Sequence, residues 1–395
     1  MRRGYDARSF ANQVFTGVVM SRKIRIGVIG SGYMGKAHAI AYTAAATVFD
    51  LDVELVCEML CTTTAAGAKA DAKRLGFRRS TDDWRALISD PDVDAINIST
   101  PPFTHLEMGL AALDAGKPVF CEKPLAMSAA DALTLTERAE TAGVPTMVGY
   151  NYIKHPSAQL ATEIVHSGEI GEVLHFAGTH IEDYFHDADA PANWRVQQRT
   201  ASRAGALSDV GTHIVNAMLR VAGPVERLVA DTDIAYATRP ANDGTSLTVE
   251  NDDQVQFMVR FESGAMGSIH ASRVAAGKKM GYSFTVTGTK GSVAFDLEQP
   301  GEVHLFSAGD DAARSGFKRI LTGPEHPDYM NFCLGAAHGF GYNDMIMIEA
   351  RDFVTAIVEQ KPVWPTFRDG YDVDRIVDAV LRSKDEGRWV RIDEI

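Results

Sequence analysis

The run Lys23-Ile-Arg-Ile-Gly-Val-Ile29, followed at once by Gly30-Ser31-Gly32-Tyr33-Met34-Gly35 and an alanine-rich stretch, constrains the chain more than any other feature. A short β-branched segment bounded by glycine reads as a buried strand. The residues from Gly35 onward (GKAHAIAYTAAA) favour helix. Between strand and helix, the three glycines have separate tasks. Gly30 permits a tight turn, Gly32 lets backbone N–H groups approach a pyrophosphate, and Gly35 lets the helix pack on the strand. The helix N-terminus then faces the anion. A glycine turn of this kind also occurs in α/β domains without a ligand; the strand–turn–helix context is what favours a dinucleotide.

The pattern that follows extends this beginning. Strands are predicted at Val53–Cys57, Asp94–Ile98, Val119–Cys121 and Val144–Val148, and helices at Ala65–Leu75, His105–Ala115 and Ala129–Ala142. Strands alternating with helices give βαβ units and a parallel, doubly wound sheet. This regime ends near Tyr150. From Gly171 to about Phe306 the chain reads mostly as strands, among them Glu172–Glu182, Leu228–Tyr236, Gln254–Phe261, Ala265–Ser272, Tyr282–Val286 and Ser292–Phe295. Turn signals such as Glu262-Ser263-Gly264 join them into a mainly antiparallel open sheet. Helices are predicted at Pro156–His166, Asp209–Val221, Asn343–Glu359 and Tyr371–Lys384. The expectation is an α/β Rossmann domain over 23–150 and an α+β domain over 151–395, with the last helices free to pack back on the first domain. Residues 1–22 read as a flexible extension. With 395 residues, two domains are the sensible arrangement.

Bulk properties exclude several classes. A net charge of -13 argues against a nucleic-acid footprint, which needs a basic face. No apolar run is long enough to span a bilayer. Four cysteines in so long a chain form no disulfide framework, and reduced thiols point to the cytoplasm. Cys57 and Cys61 lack a second ligand pair. His175 and His180 differ in strand parity and so face apart, and no metal site is expected.

Several residues stand where chemistry is expected. Glu58, just past the predicted second strand, can accept hydrogen bonds from a ribose, which favours NAD over NADP. The segment Ser99-Thr100-Pro101-Pro102-Phe103-Thr104-His105 follows a strand where the sheet's carboxyl ends face ligand, although a rigid βα turn would look the same. Lys123, in Glu122-Lys123-Pro124, also sits at a strand's carboxyl end. From there it can donate to a substrate hydroxyl as that hydroxyl loses its proton. Asp209 and His213, four apart at a helix start, share a face. A histidine suits proton transfer near neutral pH and a carboxylate can orient it. A capping Asp and a core His are the bland alternative.

Taken in order, the glycine loop, STPPFTH, EKP and ALSDVGTH resemble the Gfo/Idh/MocA family of oxidoreductases, and the likeness covers the chain from Lys23 to its end. The stretches GYMGKAHA, GYNY, Asn193-Trp194-Arg195, FKRILTGPEHP and AAHGFGYN look closest to the family's inositol, glucose-type and anhydrosugar dehydrogenases. The resemblance implies oxidation of a secondary hydroxyl of a cyclic polyol or sugar to a ketone, with hydride passing to NAD. Lys123 would polarise the hydroxyl, His213 would be the general base, and Asp209 would orient the substrate or His213. Tyr33 and Met34 would sit on the pyrophosphate and Glu58 on the ribose. Thr100, Pro101, His105 and Glu122 would line the cofactor. Asn151, Trp194 and Arg195 would meet the nicotinamide and the substrate, and Glu182 and His338 the substrate. An open sheet face would pair copies into a homodimer or homotetramer.

Departures from the family pattern leave the substrate open. Asn216 stands where many members carry Asp, Arg203-Ala204 where many carry two glycines, and Ile153-Lys154 where many carry basic residues. Two other activities occur among relatives: an NAD-retaining enzyme that cleaves glycosides through transient oxidation, and a non-catalytic NAD-sensing regulator. The second could dispense with Lys123, Asp209 and His213, all of which are present here.

Overall fold

The structure is a computed structural model that describes residues 22–241 and 243–395. The expected extension over 1–22 lies outside the described residues except for Arg22, which begins the first strand. Strands β1 (Arg22–Ile29), β2 (Val53–Cys61), β3 (Arg79–Thr81), β4 (Ala95–Ile98), β5 (Val119–Cys121) and β6 (Thr146–Val148) form one sheet in the order β3-β2-β1-β4-β5-β6, every pair parallel. Helices α1 (Tyr33–Val48), α2 (Ala65–Leu75), α3 (Trp84–Ser89), α4 (His105–Asp114) and α5 (Ala129–Ala142) make the crossovers. The apolar runs of β4, β5 and β6 are buried throughout, as strands covered on both faces must be. Strand order reverses between β1 and β4, and there the two chain ends splay into a crevice.

After α6 (Pro156–His166) the second layer begins. Strands β7 (Val173–Ile181), β8 (Val225–Asp233), β11 (Gln254–Phe261), β12 (Met266–Ser272), β13 (Gly281–Gly288), β14 (Gly291–Asp296), β15 (Glu302–Ser307), β16 (Lys318–Leu321) and β17 (Val390–Arg391) build a nine-stranded sheet. Its order is β16-β15-β14-β13-β7-β12-β11-β8-β17, antiparallel except for the parallel pair β7 and β12. The hairpin of β9 (Thr238–Pro240) and β10 (Ser246–Thr248) stands apart. Helices α7 (Gln198–Ala201) and α8 (Thr212–Ala222) lie between β7 and β8 in the chain. Alternate sheet residues such as Phe176, Phe257 and Phe284 point into one core, which is continuous with Ile96, Ile98 and Val119 of the first sheet. Helix α9 (Tyr342–Glu359) joins the core around α1, β1 and β2, and α10 (Phe367–Glu386) bridges α5 and β8.

Three differences from the sequence reading have physical causes. Strand β2 runs to Cys61 rather than Cys57, and its pairing with β1 skips one residue, Ile26 opposing Cys57 and Gly27 opposing Met59. Glu58 is that extra residue, and a bulge is invisible to strict alternation. The short elements β3, α3, β16 and β17 carry too few residues to show a period. The helix expected from Asp209 begins instead as a π-helical turn over Leu207–Gly211, with α8 starting at Thr212. Such turns are common at functional sites.

Helix α6 starts on a titratable cap. The His155 Nδ1 accepts from the Ser157 N–H at 3.1 Å, the ring packs on Phe295 and Phe340, and the residue is 1 % exposed. Burial lowers its pKa to about 4. An unfolded histidine titrates near 6.5. The unfolded chain therefore binds the extra proton first, and stability is lost as pH falls from about 6.5 to about 4. His155→Asn keeps a capping acceptor and removes that titration. Urea unfolding at a series of pH values should show a flatter decline in the variant over this window, by up to about 3 kcal/mol at its acid end. Parallel profiles would contradict the assignment.

Candidate active site

The crevice at the strand reversal holds a cavity of about 690 Å³ that reaches from the Gly30–Met34 loop past Ser99–Pro102 and Lys123 to Trp194, Arg195 and Asp209. The glycine loop forms one end of it. Gly30 has φ +102°, and a Cβ there would lie 2.5 Å from the Ser99 carbonyl oxygen. A Cβ on Gly35 would lie 2.0 Å from the Gly30 carbonyl oxygen. These two glycines are required by the protein's own packing. Gly32 differs: a Cβ there meets nothing within 4 Å, although the residue lines the cavity. Gly32 is also the N-cap of α1 and brings no side chain to the helix's first N–H groups. Free N–H groups at a helix start with open space before them fit a dinucleotide's pyrophosphate. Tyr33 is 71 % exposed beside them, and the Met34 Sδ accepts from the Tyr342 hydroxyl at 3.0 Å.

The ribose expectation needs correction. Glu58 is buried within β2, does not line the cavity, and is ion-paired with Arg79 at 2.7 Å. Arg79 also holds Asp90 at 2.6 Å. With β2 running on to Cys61, the strand end that faces the cavity is Cys61-Thr62-Thr63, with Asp82 and Trp84 beside it. Among the described residues, no arginine or lysine lines this end of the cavity to meet a 2′-phosphate.

Of the remaining expected cofactor residues, Thr100 and Pro101 line the cavity, with the Thr100 hydroxyl 2.6 Å from that of Thr104. Glu122 also lines it and meets the buried His38 ring at 2.7 Å. His105 does not. It is fully buried, with Nδ1 2.9 Å from the Pro124 carbonyl oxygen and Nε2 2.9 Å from that of Thr100, so it ties the two loops together. Asn151 is buried, its Nδ2 has no partner among the described residues, and it lies off the cavity wall. Glu182 is bound to the His180 ring at 3.0 Å, also off the wall. His338 is exposed on the loop before α9, with Nδ1 3.2 Å from the Cys333 Sγ, and does not reach the cavity of its own chain.

The polar centre is the Asp209 carboxylate. Its Oδ2 accepts from the Tyr184 hydroxyl at 2.5 Å and from the Arg195 Nε at 2.8 Å, and its Oδ1 lies 3.6 Å from the Lys123 Nζ. Lys123 also donates to the Asp209 main-chain carbonyl. Burial alone would raise the Asp209 pKa. Lys123, Arg195, the Tyr184 hydroxyl and Arg273 outweigh it and hold the group at about 2, so it is ionised at any working pH. His213 lies in the first turn of α8, 5 % exposed, with its ring 4.3 Å from that of Tyr152 and 5.5 Å from that of His180. Burial, then the charge of Lys123 and then His180, push its pKa well below 6.5. The imidazole is therefore neutral near pH 7 and able to take a proton.

Five supporting residues escaped the sequence reading. Tyr184 comes from the strap after β7. Asp252 accepts from the Gly205 and Leu207 N–H groups and pins the start of the π-helical turn that carries Asp209. Asn251 and Arg273 each donate to the Arg195 carbonyl, at 3.0 and 3.2 Å, and the Arg273–Asp253 pair beneath them is fully buried at 2.8 Å. The sequence signal was Asn251-Asp252-Asp253, a polar triplet leading into a strand. Nothing in its spacing says that the fold inverts it into the core.

The comparisons agree with this architecture. Residues 24–150 match the oxidoreductase family with the NAD-binding Rossmann fold, and residues 158–294 match the GFO/IDH/MocA C-terminal domain. The chain is 36 % identical over 388 residues to levoglucosan dehydrogenase of Pseudarthrobacter phenanthrenivorans, covering 95 % of this chain and 99 % of that protein. It is 26 % identical to inositol 2-dehydrogenase of Rhizobium meliloti, over 93 % of this chain and 99 % of that one. A solved structure of levoglucosan dehydrogenase in complex with NADH and L-sorbose superposes with a TM-score of 0.91, at 36 % identity and with 94 % and 99 % of the two chains covered. The chain belongs to the Gfo/Idh/MocA family of NAD-dependent oxidoreductases, of the sugar and polyol dehydrogenase type.

Proposed function

We propose that this enzyme oxidises one secondary hydroxyl of a cyclic polyol or sugar, of the inositol, glucose or anhydrosugar kind, to a ketone. The observation that carries this reading is the convergence of Lys123, Arg195, Tyr184 and Asp209 on the wall of the cavity that begins at the glycine loop. Bound NAD⁺ supplies the hydride acceptor. Gly30–Met34 would hold its pyrophosphate, and Cys61-Thr62-Thr63 with Asp82 its adenosine ribose. The Lys123 ammonium donates to the reacting oxygen and stabilises it as its proton leaves. His213, held neutral, takes that proton. Asp209 stays ionised, fixes Lys123 and Arg195, and accepts from a second hydroxyl of the ring. Trp194, with the Arg195 guanidinium 4.4 Å over its ring, covers the bound sugar. The relatives named levoglucosan and inositol dehydrogenase support the substrate class, not the choice within it.

We also propose that a second copy covers the open sheet face, where Leu174, Met258 and Met266 are exposed, giving a homodimer or homotetramer. The four cysteines are free, which fits a reducing compartment such as the cytoplasm. Among the described residues, no helix is long and apolar enough to cross a membrane.

Purified enzyme with NAD⁺ and a panel of inositols, glucose isomers and anhydrosugars should form NADH with at least one of them. Lys123→Ala should lower kcat by about 10² or more. Turnover with no polyol, or a Lys123→Ala variant indistinguishable from the parent, would refute the reading. A second check reads the base directly. Since the Lys123 charge helps depress the His213 pKa, Lys123→Met should raise it, seen as an upward move of the His213 imidazole titration by NMR. An unmoved titration would separate the two residues.

A further inference from the structure

A second cavity, of about 540 Å³, lies between α8, α10 and the chain's last residues, with none of its lining shared with the crevice. Its most buried polar residue is Asn216. This residue lines the cavity, is 2 % exposed, and makes no side-chain hydrogen bond among the described residues. A buried amide with no partner is an unmet demand, since such groups are normally bonded. Around it stand groups only partly committed. Arg220 has no ion pair among the described residues and stacks on Trp364 at 4.9 Å. Arg375 donates one Nη to the Ile392 carbonyl, has a buried Nε with no partner among the described residues, and reaches Asp372 only at 3.9 Å. The Glu262 carboxylate at the rim has no hydrogen bond or ion pair among the described residues.

The chemistry of this lining narrows the occupant. The cavity wall carries five carboxylates against three guanidinium groups, so it does not favour an anion. Among the described residues, no group of three His, Cys, Asp or Glu side chains could hold a metal ion. What remains is a wall with free donors at Arg220 and Arg375, free acceptors at Glu262 and Asp372, and an amide that is both. A hydroxyl group donates and accepts at once, and a ring of several hydroxyls meets such a mixed wall without carrying charge. The volume also falls within the range of small-molecule pockets.

We propose that this cavity is a second binding site for a neutral polyhydroxylated ring, distinct from the catalytic crevice, with Asn216, Arg375 and Asp372 as its inner contacts. Asn216 lies three residues after His213 on α8, so an occupant sits one helical turn from the general base. The site therefore senses the same chemical class that the crevice is proposed to oxidise, and its existence does not depend on turnover.

The test uses the full chain loaded with NADH and myo-inositol as the probe. Crystals soaked at a concentration that fills the crevice should show a second myo-inositol on Asn216, Arg375 and Asp372. Calorimetric titration should give two sites per chain. Asn216→Leu, which offers no hydrogen bond, and Arg220→Ala, which changes only an exposed stacked side chain, should each reduce this to one site. The second variant guards against a folding defect in the first. Only water in the cavity, a side chain of another copy filling it, or one site per chain in the parent would overturn the proposal. Myo-inositol in the crevice alone would sink this inference and leave the catalytic reading standing. Myo-inositol in neither would count against this inference alone, since the catalytic reading asks only that one polyol of the panel turn over.

Discussion

The site depends on one half-buried carboxylate. Asp209 sits where an ordinary acid would take up a proton to escape burial, and it stays charged because Lys123, Arg195, Tyr184 and Arg273 surround it. A charge so enclosed is stable only while its partners stay in place. That dependence runs both ways. The same contacts fix Lys123 at the end of β5 and Arg195 on the cavity wall, so the positions of two cations are set by one anion. The anion in turn is held by its backbone: the π-helical turn over Leu207–Gly211 is pinned at its start by Asp252 and followed directly by α8. The polar layer of Asn251, Asp253 and Arg273 below then holds the Arg195 carbonyl.

The electrostatics of this arrangement divide two protonation states between two neighbours. Asp209 is held ionised and His213 neutral, and Lys123 acts on both in the required sense. A cation lowers the pKa of an acid and of a base alike, so the ammonium helps keep the carboxylate charged and adds to the burial that keeps the imidazole neutral. Pairs of groups whose environments fix different protonation states are what an acid–base reaction needs.

Much of the fold was legible in the sequence, for identifiable reasons. The glycine loop and the β-branched runs of β1, β4 and β5 are local signals with strong periodicity, and the loop's glycines are each explained by a contact or by open space. Lys123 and Asp209, both on the cavity wall, are readable only through the order of motifs that resembles the family, since position alone leaves a solvated lysine and a capping aspartate equally open. His213 was readable as a member of the cluster, though it is buried against Tyr152 rather than lining the wall. The misreadings share one origin: a non-local partner or an irregular step. Glu58 was placed on the ribose because the β2 bulge hides that the strand continues for four residues more, and because Arg79, which captures its carboxylate, belongs to a strand of three residues. His105 looks like a cofactor ligand by spacing and is a tie between two loops. Tyr184 and the Asn251–Asp253 triplet lie on segments with no period, so only the folded chain brings them to Asp209.

The central proposal is that Lys123, on the cavity wall, and His213, buried behind it against Tyr152, act on one hydroxyl. A crystal structure of the enzyme with NADH and a polyol that it turns over tests this most directly. The account predicts one ring hydroxyl within hydrogen-bond distance of both the Lys123 Nζ and a His213 ring nitrogen, and a neighbouring hydroxyl on the Asp209 carboxylate. A bound polyol whose hydroxyls meet neither Lys123 nor His213, with the His213 ring still closed against Tyr152, would contradict it.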